Sequence, residues 1–182
     1  MGNLKRLQTP RLTLVAATAT HIRTELNTPE KLSTLLDAYV SPAWPTGEYD
    51  RHAMEFFLAR FEEGGETAEG WYSWYALCSD ASNNSCALVG AGGYFGPPTA
   101  DGTVEIGYSV LPEFQRRGYA SEMVRGLVHH VFTLPEVKRV IAHTTMENPA
   151  SIKVLLNSEF CDAGPGTEPG TIQFVHSHSI KA

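Results

Sequence analysis

The chain has 182 residues, 42% hydrophobic and 19% charged, with a net charge of −6, the make-up of an ordinary globular protein folding as one domain over residues 1–182. No apolar run nears the roughly 18 residues of a membrane span, no basic stripe marks a nucleic-acid binder, and the start "MGNLKRLQTPRL" lacks the apolar segment of a secretory signal. Cys78, Cys86 and Cys161 are too few and too scattered for a disulfide framework or a zinc site, and read as the reduced thiols of a cytoplasmic protein.

Residues 11–17, "RLTLVAA", alternate as an opening strand. Thr18 or Thr20 offers a cap for a short helix. Over residues 28–40, "TPEKLSTLLDAYV", Thr28 as N-cap, Pro29 at the first position and the stripe Leu32, Leu35, Leu36 predict a second helix. "SPAWPTGEYD" is a loop. "RHAMEFFLARFEEGG" predicts a helix with Met54, Phe57, Leu58 and Phe61 inward, stopped by Gly64 and Gly65. Three strands follow, residues 71–79, 86–96 and 103–111, joined by turns at 82–85 and 97–102, which predicts an antiparallel meander.

A helix then carries Ala120, Met123, Val124, Leu127, Val128, Val131 and Phe132 at core spacing. Residues 138–146 are a strand. "NPASIKVLLNSEF" is a helix with Pro149 first and Ile152, Leu155 and Leu156 on one side, and two closing strands end the chain. The order strand–helix–strand after Thr103 requires a parallel pair. The fold class is therefore α/β, with a mixed, mostly antiparallel central sheet and helices on both faces.

The chemistry concentrates where the 103–111 strand runs through "PEFQRRGYA" into its helix. A helix start offers about four unpaired backbone N–H groups and the positive end of the macrodipole. Gly118 and Ala120 leave that end open, and Arg116 and Arg117 add charge, so the turn suits a phosphate or pyrophosphate. His176 and His178 share a strand face, whereas His129 and His130 diverge by about 100°; no third ligand is suitably spaced, so no metal site is expected. The acidic surface favours cationic partners such as amines. Trp44 and Trp71 are candidates for an acceptor cleft, and Trp74 reads as core.

The stretch "GYSVLPEFQRRGYASEMV" resembles the acetyl-CoA-binding motif of GCN5-related N-acetyltransferases, Q/R-x-x-G-x-G/A, filled by Gln115, Gly118 and Ala120. "TPRLTL", "VEIGYSV" and "ENPASIKVLLNSEF" look like the RimJ/RimL-like subgroup, which acetylates ribosomal-protein N-termini. The resemblance implies an acyl-CoA N-acyltransferase fold. It implies acetyl-CoA as co-substrate, with no metal, and transfer to a primary amine of a small molecule or a peptide N-terminus. It leaves a homodimer open and involves no nucleic acid or membrane. By the same resemblance, the strand Tyr108, Ser109, Val110 would pair with pantetheine. The N–H groups of Arg116, Arg117, Gly118, Tyr119 and Ala120 would hold the pyrophosphate, with Asn148 and Ser151 beside the CoA arm. Asn148, before Pro149, is equally a helix N-cap.

Amine acetylation needs a base, because an alkyl ammonium has a pKa of about 10. Glu105 is the catalytic candidate: the resemblance puts a glutamate on this strand, and an apolar setting would raise its pKa. A salt-bridged Glu105 is the structural alternative. The Val110 N–H is the oxyanion donor, by resemblance and because a splayed strand edge frees such a group. Leu155 stands where family members often carry a tyrosine acid. That leaves Tyr108, Ser151 or direct departure of the thiolate, and keeps a non-catalytic acyl-CoA sensor as the alternative function. Glu159 stands where a helix-ending glycine is usual, with Asn157 as the candidate left-handed residue.

Overall fold

The computed structural model describes residues 4–80 and 85–177. The turn expected at 82–85 lies, Ser85 apart, outside them, as does His178. Eight strands form one sheet in the order β1-β2-β3-β4-β5-β6-β8-β7. They are β1 (Arg6–Gln8), β2 (Leu12–Ala16), β3 (Ser73–Asp80), β4 (Ser85–Tyr94), β5 (Thr103–Val110), β6 (Arg139–Thr145), β7 (Cys161–Pro165) and β8 (Thr171–Ser177). All neighbours run antiparallel except β5 and β6. The helices are α1 (Ala19–Asn27), α2 (Leu32–Leu36), α3 (Arg51–Gly64), α4 (Tyr119–Val131) and α5 (Pro149–Asn157). None of the described helices is long and apolar enough to cross a membrane.

Two cores sandwich the sheet. On one face α4 supplies Met123, Val124, Leu127, Val128 and Val131 and α5 supplies Leu155, packed on Val104, Ile106 and Val140. On the other, α1–α3 pack Ile22, Leu32, Met54, Phe57 and Phe61 against Val15, Tyr75 and Leu88. Each apolar helix stripe thus finds its own sheet face, which is what the mixed α/β pattern requires.

Four local expectations change. The helix expected over 28–40 is a 3₁₀ turn (Pro29–Lys31) and the short α2, ended by left-handed Asp37; Thr28 makes no side-chain cap. Tyr39 then bridges to Ala87, so sheet pairing outcompetes helix there. The first strand gains a partner, β1, too short for periodicity to reveal. Leu156 is 54% exposed, with Val154 packed on the core instead. Glu159, not Asn157, is the left-handed residue (φ 66°). The N–H groups of Phe160 and Glu159 bond to the carbonyls of Leu155 and Leu156, a Schellman ending. A glutamate there costs about 1 kcal/mol relative to glycine.

α1 begins with a capping box in which Thr18 accepts from the His21 N–H. His21 is 3% exposed and its Nε2 has no hydrogen-bond partner. Burial lowers its pKa from 6.5 to about 4. The unfolded chain therefore takes up this proton first, and stability falls as pH drops from about 6.5 towards 4. Between pH 7.5 and 4.5 urea denaturation of the wild type should show about 2–3 kcal/mol more loss than His21→Gln, which keeps the cap but does not titrate. Equal losses in the two proteins would contradict this assignment.

Candidate active site

The site begins with a failure of pairing. β5 and β6 pair only at 103–105 with 139–141. β5 continues along β4 to Val110, while β6 continues along β8 to Thr145. The two strands therefore diverge. A bulge in β4 puts Val89 as an extra residue between the Ala76–Gly90 and Leu77–Leu88 pairs, and bulges bend and twist the strand that carries them. Gly90 lets β5 follow closely, since a side chain there would run into the Ser109 carbonyl.

The phase of β5 is fixed by two bonds, Phe95 N–H to Glu105 O and Leu111 N–H to Val89 O. Odd residues of β5 thus bond to β4. The C=O of Ile106 and the N–H and C=O groups of Tyr108 and Val110 face the opening. One of them, the Val110 carbonyl, accepts from Gln115 Nε2 at 3.0 Å. The opening is a cleft of about 350 Å³ that passes through the sheet, lined by Ile106, Ala150 and Val154 towards α5 and by Thr46, Gly47 and Glu48 towards α3.

The strand leads to the N-terminus of α4. Arg116 (φ 59°) and Gly118 (φ 82°) are both left-handed and exposed. Such alternation turns successive N–H groups to one side, an anion-binding concavity. Gly118 is the N-cap and makes no side-chain cap bond. Gln115, Arg116 and Ala120 line the cleft. Arg117 points elsewhere, its guanidinium over Phe114. The Tyr119 hydroxyl meets Cys78 Sγ at 3.2 Å, so only the backbone of Tyr119 faces the turn. Asn148 caps α5, accepting from the Ser151 N–H at 3.0 Å, and lines the cleft with Ser151. Tyr108 OH lies 2.9 Å from Ser151 Oγ, and burial pushes its pKa up to about 12. Leu155 is wholly buried and does not line the cleft.

Glu105 is not in an apolar pocket. Its side chain is 37% exposed, with Oε1 2.7 Å from His143 Nδ1. His143 Nε2 lies 3.2 Å from Gln173 Nε2. An amide NH₂ only donates, so His143 accepts at Nε2 and carries its proton on Nδ1, where it donates to Glu105. His143 lines the cleft; Glu105 sits one residue behind it. His143 was missed because one histidine in "RVIAHTT" carries no motif, although alternation puts it beside Arg139 and Ile141 on the face Glu105 uses. His176 lies elsewhere, between Phe132 and Phe160. Trp44 and Trp71 do not line the cleft, and Trp74 is core. No group of three metal-ligating side chains occurs among the described residues.

The turn is held from behind by a pair that no motif announces. Glu122, on the first turns of α4, is buried and accepts from Thr9 Oγ1, the Arg11 N–H and Arg11 Nε at 2.6, 2.6 and 2.7 Å. Burial opposes its charge, but these bonds and the guanidinium win and hold its pKa below the usual range. Arg11 Nη1 also donates to the Arg117 carbonyl at 2.8 Å.

With that geometry in view, the chain matches the acetyltransferase (GNAT) domain over residues 11–160, and it belongs to that family. It is 27% identical over 112 residues to an uncharacterized N-acetyltransferase, YjdG, of Bacillus subtilis; the match spans 62% of this chain and 63% of that protein. It shares its fold with RimL, a ribosomal L7/L12 alpha-N-protein acetyltransferase (TM-score 0.64, 19% identity, 96% of this chain and 94% of that one). The fold is also that of the microcin C7 self-immunity acetyltransferase MccE, solved with acetyl-CoA and AMP (TM-score 0.60, 15% identity, 92% and 93%).

Because Arg11 is half-exposed, its pair with Glu122 is screened in part. Arg11→Ala should cost about 1–2 kcal/mol in urea denaturation, from the buried carboxylate losing a donor. Arg11→Lys should restore little, since one ammonium cannot reach both Glu122 and the Arg117 carbonyl. A lysine variant as stable as wild type would contradict the two-way clamp.

Proposed function

We propose that this chain transfers the acetyl group of acetyl-CoA to a primary amine, of a small molecule or a protein N-terminus. The observation that carries the reading is the unpaired edge of β5 running without a break into the left-handed turn at α4. Pantetheine pairs as an added strand along Tyr108–Val110, through the backbone groups of Tyr108 and Val110 that β4 leaves free, with Ser109 bonded to β4 between them. The N–H groups of residues 116–120 take the pyrophosphate, with Gln115 steadying the Val110 carbonyl. Asn148 and Ser151 flank the arm. Family membership and the fold shared with an acetyl-CoA complex support the same substrate.

In the reaction the N–C bond forms as the C–S bond breaks. An ammonium acceptor sheds two protons, one ending on the CoA sulfur and one in solvent. Glu105 takes the first through water in the cleft, held in place by His143. The Val110 N–H points to where negative charge develops on the carbonyl oxygen. For the leaving group, magnitudes decide. A phenol held at about 12 does not surrender its proton to a thiolate whose acid has a pKa of about 8.5, a step uphill by about 5 kcal/mol. The sulfur therefore leaves as thiolate and takes its proton from solvent, and the missing tyrosine at Leu155 is no obstacle.

Thiol release from acetyl-CoA with a panel of amines is the direct test. A sensor of acyl-CoA would bind and release no thiol with any of them. In the same assay Glu105→Gln should keep acetyl-CoA affinity and lose about a hundredfold or more in turnover. The loss should shrink as pH rises and more acceptor is already neutral. An unchanged rate per folded molecule would leave Glu105 only as the partner of His143.

A further inference from the structure

A second cavity of about 70 Å³ lies against the α3 side of β4 and β5. Glu48, Gly107, Tyr108 and Ser109 line both it and the cleft, so the two spaces meet there. Its walls are mostly apolar, from Ala53 and Phe57 on α3, Ala91 on β4, and Phe95. At about 10–15 Å³ per enclosed water, it holds about five water-sized groups. Its polar side chains include Ser73, Ser109, Tyr49 and Glu48. Ser73 Oγ is buried beside the Tyr49 hydroxyl. Glu48 is exposed at the junction, and among the described residues it is the one Asp, Glu, Lys, Arg or His that lines this cavity.

The chain around Glu48 is fixed on both sides. Glu25 is buried and accepts from Trp44 Nε1 (2.7 Å), Tyr49 OH (2.7 Å) and Tyr75 OH (2.6 Å). Ser109 Oγ donates to the Thr46 carbonyl at 2.9 Å. Trp44, Thr46 and Tyr49 are thus tied down, and Glu48 between them is held at the junction. A carboxylate kept at the meeting point of an apolar cavity and a cleft has an evident chemical complement.

We infer that this cavity seats the acceptor as a protonated primary amine on a short, uncharged stem, its ammonium paired with Glu48 and its stem against Phe57 and Phe95. The inference rests on the acetyl-transfer reading of the cleft and adds the acceptor's class to it. Carboxylated amines are disfavoured, because Glu48 repels them and no Lys or Arg among the described residues lines the cavity. An exposed ion pair is worth up to about 1 kcal/mol, or about fivefold in affinity. Stems much longer than four or five heavy atoms outgrow the space. Short alkylamines and a peptide α-amine with a small apolar first residue share this chemistry.

The test is steady-state acetylation by the full chain at saturating acetyl-CoA. Acceptors are alkylamines of increasing length, their ω-carboxylated analogues and a short peptide with an alanine N-terminus. The wild type should turn over short neutral-stem amines with the lowest KM, and discriminate against the carboxylated analogues. Glu48→Gln should raise acceptor KM about threefold to fivefold with kcat and the acetyl-CoA KM unchanged. Glu48→Lys should reverse the preference towards carboxylated amines. Ala53→Phe should penalise the longest accepted stems most. Turnover of the peptide but not the alkylamines assigns the seat to protein N-termini, and the converse to small amines. Wild-type turnover with acceptor KM unmoved in both Glu48 variants, or with no dependence on stem length and charge, overturns the inference alone. Absence of thiol release with every amine overturns the acetyl-transfer reading beneath it.

Discussion

The whole candidate site depends on two parallel strands that stop pairing after three residues. β5 and β6 part beyond Glu105, and backbone groups that a sheet would normally satisfy are left facing a cleft. Unpaired main-chain polar groups away from water are costly. Their survival on a rigid central strand is a structural reason to expect a ligand that supplies the missing edge. The cause is local to β4 and β5. Val89 bulges, Gly90 permits close approach, and β5 turns with β4 while β6 stays with β8.

Two buried carboxylates hold the walls of that opening in the same way. Glu122 gathers Thr9 and Arg11 behind the turn at α4, and Glu25 gathers Trp44, Tyr49 and Tyr75 behind the 41–50 loop. Each acid is tolerated because three donors meet it. The outcomes differ electrostatically. The guanidinium helps keep Glu122 below the usual carboxylate range, whereas burial without a cation pushes Glu25 upward despite bonds from Tyr75, Tyr49 and Trp44. Both clamps tie chain segments far apart in sequence, so the opening is shaped by tertiary contacts.

This explains what was legible beforehand. The strands from Trp74 to Val110 were readable as aromatic and β-prone runs between turn residues, and the stripe from Met123 to Val131 because one-sided burial of a helix imposes a period. The turn from Gln115 to Ala120 was readable because helix starts that bind anions need small residues and left-handed geometry in sequence. Glu48, His143, Arg11 and Glu25 were not, because each owes its place to a partner 19 or more residues away or to a loop with no period. Glu105 was expected in an apolar setting, and the paired alternative is the one the structure has, with a partner, His143, that nothing in "TVEIGYSV" announces.

Residue-resolved amide exchange with and without CoA tests the central claim most directly. If the free edge of β5 and the turn at α4 receive the CoA arm, the Tyr108 and Val110 amides and those of residues 116–120 gain protection together. Gly107 and Ser109, already bonded to β4, should hardly change, and inorganic phosphate should protect the turn alone. Protection confined to the turn with CoA present, or absent from both, would contradict a ligand that completes the sheet.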